Sequence, residues 1–137
     1  MKQIFTFFFA LAGLYLSAAK ADTPVSGTIS TDSTWDLAGS PYIVGTTVVV
    51  TDGATLTIDS GVVVRFQSNQ GLDIQGTLDA YKCTFTSDQA SPSKGDWSEI
   101  HIGSDSDDGS ASFYGCLIEY GGHNNVSDDY AMVVVER

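Results

Sequence analysis

From Tyr42 onward, apolar and polar residues alternate in short runs with a period of two. That period marks strands with one face covered, because successive side chains of a strand point to opposite sides. The pattern predicts strands at 42–44, 48–50, 55–58, 62–66, 72–74 and 77–80. It predicts more at 83–86, 97–102, 111–114, 116–120 and 132–135. All are rich in Val, Ile, Thr and aromatic residues. Turn residues stand between them: Asp52-Gly53, Asp59-Ser60-Gly61, Asn69-Gln70-Gly71 and Gln75-Gly76. No window carries apolar residues at helical spacing, so helix is expected only near the N-terminus.

One run returns. Gly53 to Phe66 is matched 16 positions later by Gly71 to Ala80, with Leu56 on Leu72, Ile58 on Ile74, Val62 on Leu78 and Val64 on Ala80. Four inward positions recurring at one offset predict a stack of similar coils, with Leu56 resting on Leu72. Strands this short and evenly punctuated do not suit the longer hairpins of a sandwich. Four buried aliphatics per coil contribute less than ordering the coil costs, so each coil depends on its neighbours.

The first 21 residues stand apart. Lys2 opens a positive region, Ile4 to Leu16 is mostly apolar, and Ala19-Lys20-Ala21 is a small-x-small cleavage site. This is the pattern of a secretory signal peptide, shorter than the roughly 20 apolar residues that span a bilayer. The expectation is export, to the medium or the cell surface, with Asp22 as mature start and no membrane span after cleavage. Residues 22–41, with Trp35 as their only aromatic residue, read as an entry or cap segment. Residues 42–137 read as the coils. Met132 to Val135 reads as a fresh strand close to Arg137, so further coils are expected beyond it.

Charge narrows the partners. The chain has 17 acidic and 6 basic residues, a net of −11, and loss of Lys2 and Lys20 leaves −13. That balance repels phosphate backbones and excludes nucleic acid. It leaves room for divalent cations.

The order Trp35, Pro41-Tyr-Ile-Val44, Gly53-Ala-Thr-Leu-Thr-Ile58, Gly61-Val-Val-Val-Arg-Phe66, Gly95-Asp-Trp97 and Ile118-Glu-Tyr-Gly-Gly122 resembles the N-terminal part of secreted bacterial right-handed parallel β-helix repeat proteins. These belong to the broad pectate-lyase-like class. The resemblance implies an all-β, right-handed parallel β-helix, a solenoid, on an exported or surface protein. Members include polysaccharide-active enzymes and adhesins, so no single activity follows.

Five constellations can carry chemistry. Trp97, Glu99 and His101 alternate against Ile100 and Ile102; if the isoleucines point inward, these three share an outer face. An exposed Trp can stack on a sugar while Glu and His bind or move protons. Asp105, Asp107 and Asp108 lie in an acidic loop that reads either as hard-oxygen ligands for calcium or as a solvated turn. Gly109 and the lack of a closing Glu depart from an EF-hand. Asp128 and Asp129 pose the same choice more weakly. Cys83 and Cys116 begin similar segments, which brings their sulfurs together as a disulfide or as a ladder of buried thiols. Arg65, with Asp73 and Asp79 in nearby coils, offers either the basic group of lyase chemistry or a surface ion pair. The Thr55-x-Thr57 motif is matched by Gly71 and Asp73 at that offset, which disfavours an ice-binding array.

The leading expectation is a non-catalytic exported scaffold for adhesion or contact with a polysaccharide or cell-surface glycan. The alternatives are a polysaccharide lyase or hydrolase whose active site lies beyond this chain, and a structural stalk of a longer surface protein.

Overall fold

A computed structural model of the chain describes residues 20–103, 108–122 and 133–135. All regular elements among them are β-strands. In chain order these are β1 Thr23–Ile29, β2 Ser33–Trp35, β3 Tyr42–Val50, β4 Thr55–Ile58, β5 Val63–Phe66 and β6 Leu72–Ile74. They continue with β7 Thr77–Tyr81, β8 Thr84–Ser87, β9 Ile100–Ile102, β10 Ser110–Tyr114, β11 Leu117–Ile118 and β12 Val133–Val135.

Every strand pairing is parallel. One sheet has the order β10-β7-β4-β2. The other runs β11-β8-β5-β3-β6-β9-β12, with β1 alongside β3. β3 is the common member. Its first half, Tyr42 to Val44, adjoins β5, and its second half, Val48 to Val50, adjoins β6. The strands therefore form three parallel ladders, visited in turn: β4, β5, β6, then β7, β8, β9, then β10, β11, β12. The solvent-exposed Gly45-Thr46-Thr47 stretch separates the two halves of β3, which the sequence pattern reads as two strands.

The ladders share one core. Inward rows include Leu56 beside Leu78, Val64 beside Phe85, Leu72 beside Ile100, and Ile74 beside Ile102. All of these are buried. Phe66 stacks between Phe85, at 6.4 Å, and Trp97, at 4.2 Å. A fully buried side chain of this kind contributes about 1.5–3 kcal/mol.

The 16-residue register is corrected here. Leu56 lies on β4 beside Ser33 and Leu78, whereas Leu72 lies on β6 beside Val48 and Ile100. The two belong to different sheets. The recurrence is real as a pattern, but it matches the pair β4–β5 to the pair β6–β7. These are consecutive strands around the core, and strands on all three ladders share the same alternation. The Thr55-x-Thr57 motif accordingly faces Thr77 and Asp79, not Gly71 and Asp73.

The entry segment also contributes strands. β1 lies along the whole of β3, and β2 continues the β4 ladder with Trp35 beside Ile58. Trp35 is buried and stacks on Tyr42 at 4.9 Å. Among the described residues, no helix is long and apolar enough to cross a membrane.

Candidate functional site

β6 and β9 lie side by side with Leu72 beside Ile100, Asp73 beside His101 and Ile74 beside Ile102. The isoleucines and Leu72 face the core, so Asp73 and His101 are turned to the outer face. His101 Nδ1 lies 3.5 Å from Asp73 Oδ1. The Gln75 side-chain amide donates to Asp73 Oδ2 at 3.2 Å and fixes the carboxylate from its other side. Glu99 and His101 border a shallow groove of about 250 Å³, lined also by Thr47, Gly71, Leu72, Asp73 and Ser98. The groove wall is held by backbone bonds between circuits: Leu72 N–H donates to the Glu99 carbonyl at 3.1 Å, and Ser98 N–H to the Gln70 carbonyl at 2.8 Å. At its rim, the Thr47 N–H donates to Gln70 Oε1 at 2.8 Å. The site is a row of carboxylate, imidazole and hydroxyl groups on a rigid parallel ladder.

Trp97 is not part of it, which corrects the expectation of an outward indole. Its side chain is fully buried against Phe66, and its Nε1 donates to the Glu119 carbonyl at 2.8 Å. The strand begins only at Ile100, so the alternation that places Glu99 and His101 outward does not reach back to residue 97. The motifs flanking this Trp have structural work. Asp96 Oδ2 accepts from the Ser87 hydroxyl at 2.7 Å and from the Ser93 N–H at 2.8 Å, closing the long excursion after β8. A Cβ on Gly121 would come within 2.6 Å of the indole, so the Gly121-Gly122 pair lets the backbone lie flat against Trp97.

Asp105 and Asp107 lie outside the described residues, as do Asp128 and Asp129, and Asp108 is exposed. Among the described residues no group of three or more His, Cys, Asp or Glu is placed to hold a metal ion. Arg65 sits on the outer face of β5, where it meets Asp88 at 3.4 Å and Asp22 at 3.9 Å. Asp73 shares the eight-stranded sheet with Arg65, but Asp79 lies on β7 in the other sheet.

Cys83 and Cys116 carry free thiols with their sulfurs 3.3 Å apart. Burial first, then the neighbouring Cys116 thiol, push the Cys83 thiol far above its ordinary range.

Sequence reasoning reached Glu99 and His101 but left Asp73 unconnected to them. The register that joins Asp73 to His101 spans the excursion between β8 and β9, whose length no alternation encodes. It also left Tyr81 and Tyr114 unremarked, two exposed rings stacked at 5.1 Å on the outer face of β7 and β10. Their shared place just before Cys83 and Cys116 was the available signal. The chain matches no protein-family model, no curated protein and no solved structure.

Proposed function

We propose that the chain winds as a right-handed parallel β-helix and serves as an exported, non-catalytic scaffold that contacts carbohydrate at the cell surface. The winding is supported by the cyclic order in which the chain visits three parallel ladders, since crossovers between parallel strands of one sheet are right-handed in about 98% of cases. Export rests on the signal-peptide pattern of the first 21 residues. The family reading rests on the sequence resemblance.

The observation that carries the carbohydrate reading is the groove at Asp73, Glu99 and His101, with Thr47 and Ser98 on its walls. Carboxylates accept from sugar hydroxyls, while imidazole and Ser or Thr hydroxyls donate or accept. With Trp97 buried, recognition at this groove works through hydrogen bonds and not through stacking.

The test is a glycan array probed with the purified chain, alongside Asp73→Ala and His101→Ala. Binding that falls at least several-fold in both variants, with unchanged melting temperatures, supports the reading. A blank array with the wild-type chain removes it and leaves the stalk. The Asp73–His101 pair favours one second reading, proton transfer on a polysaccharide, with the carboxylate orienting the imidazole. Cleaved or unsaturated products from the array's positive glycans would establish it.

A further inference from the structure

We propose that Cys83 and Cys116 are a built cross-linking site, closed by thiol–disulfide exchange with a small external disulfide, with Cys116 as the entry thiol and Cys83 as the resolving one. The proposal does not rest on the carbohydrate reading.

The geometry comes from register held across a corner. Tyr114 lies beside Tyr81 at the end of one ladder, and Leu117 lies beside Thr84 at the start of the next. The turn between them is made alike in both circuits, by Lys82 at φ 45° and Gly115 at φ 64°. This left-handed backbone is unusual for a side chain as long as lysine's, and a Cβ on Gly115 would touch the Lys82 side chain at 3.3 Å. Because both circuits turn at the same place, Cys83 and Cys116 leave the corner in phase. The Leu117 N–H donates to the Cys83 carbonyl at 2.9 Å and locks that phase. The sulfurs meet at 3.3 Å. Neighbouring strands lie about 4.8 Å apart, inside the usual Cα separation for a disulfide, so closure needs side-chain adjustment only.

The two sulfurs differ in access. Cys83 is 2% exposed, whereas Cys116 is partly exposed, with its Sγ 3.4 Å from the Ala80 carbonyl. An external disulfide therefore reaches Cys116 first, and burial keeps Cys83 protonated until it resolves the adduct. In the first step the Cys116 thiolate attacks one sulfur of oxidised glutathione. A Cys116–glutathione bond forms and glutathione thiolate leaves, taking up a proton. In the second step Cys83 gives up its proton and attacks Cys116 Sγ, and the second glutathione leaves and is protonated. Two protein thiols are oxidised and one small disulfide is reduced to two thiols. The bond would close a loop between residues 33 positions apart. That loop holds the excursion after β8, Trp97, and the groove residues Ser98, Glu99 and His101.

The experiment incubates the reduced, folded full chain with oxidised glutathione at pH 8, followed by alkylation and intact-mass measurement. The expected product has lost two hydrogens and takes up no alkylating agent. Cys83→Ser should hold a stable single glutathione adduct, and Cys116→Ser should react about tenfold more slowly. A wild-type product that keeps both thiols, carries two glutathiones or forms covalent dimers overturns the site. Equal rates for the two serine variants overturn the assignment of entry and resolving thiols. The wild-type mass decides the bond whether or not either variant folds.

Discussion

The inward rows of β3 to β9 and those of β10 to β12 obey the same alternation but differ in burial. Phe85 is fully buried, whereas Phe113 is only partly so. Leu78 is fully buried, while Ala111, its neighbour in the next circuit, is only partly covered. Ile102 is 5% exposed, yet Val135 beside it is 57% exposed. On β10 to β12, inward residues with a strand on one side only keep part of their surface in solvent, whereas Trp35, also on an edge strand, is covered by its stack on Tyr42. Cover in these parallel sheets thus depends on the neighbouring strand as much as on a strand's own sequence.

The comparison breaks most visibly on the aromatic rows. Phe66→Ala removes a ring stacked against both Trp97 and Phe85, and should cost about 3–5 kcal/mol. Phe113→Ala removes a ring that touches Phe85 edge-on at 6.0 Å and is only partly buried; it should cost about half as much. Denaturant melts of the two variants measure the difference. Equal losses would mean that β10 to β12 are as well covered as β3 to β9.

The same comparison explains what the sequence could reveal. Alternation locates nearly every covered strand, because burial on one face writes itself directly into residue type. It does not encode which strand lies beside which. Leu56 and Leu72 look equivalent because both open a short apolar alternation after a Gly-containing turn, yet they lie in different sheets. β1 was illegible for a related reason. It lies along β3 at the sheet margin with most residues at least partly exposed, so Thr23-Pro24-Val25-Ser26-Gly27-Thr28-Ile29 carries little apolar signal. At the candidate site, Glu99 and His101 were legible from their alternation with Ile100 and Ile102. Asp73 was not, since only register joins it to them. Trp97 misled because it precedes the strand whose phase was extended to it.

Alkaline titration sharpens the contrast from the covered side. Burial raises the pKa of Tyr42 above its ordinary 10.0, and burial raises that of Cys83 above its ordinary 9.0. Each group favours the folded state while protonated, so its contribution is whole below the unfolded value and is lost as pH climbs past it toward the folded one. Melting temperature should therefore fall from about pH 9 upward in the reduced chain. Tyr42→Phe and Cys83→Ser should each flatten that fall. A melting temperature flat to pH 11 would mean that neither group is as enclosed as its packing indicates.

The smallest effect is expected at Arg65, which the sequence offers either as the basic group of lyase chemistry or as a surface ion pair. A basic side chain with carboxylates nearby fits proton removal, but its partners are Asp88 and Asp22 at 3.4 and 3.9 Å, and its own side chain is 37% exposed. An exposed ion pair of this kind contributes about 0–1 kcal/mol, because water screens the charges and two long side chains lose freedom in meeting. In the outer row that holds Arg65, Ile43 lies on one side and Thr86 on the other. Arg65→Gln should shift the denaturant midpoint by less than Phe113→Ala does, and should leave glycan-array binding at Asp73 and His101 unchanged. A large loss of binding in Arg65→Gln would move the site from the β6–β9 face to the β5–β8 face of the same sheet.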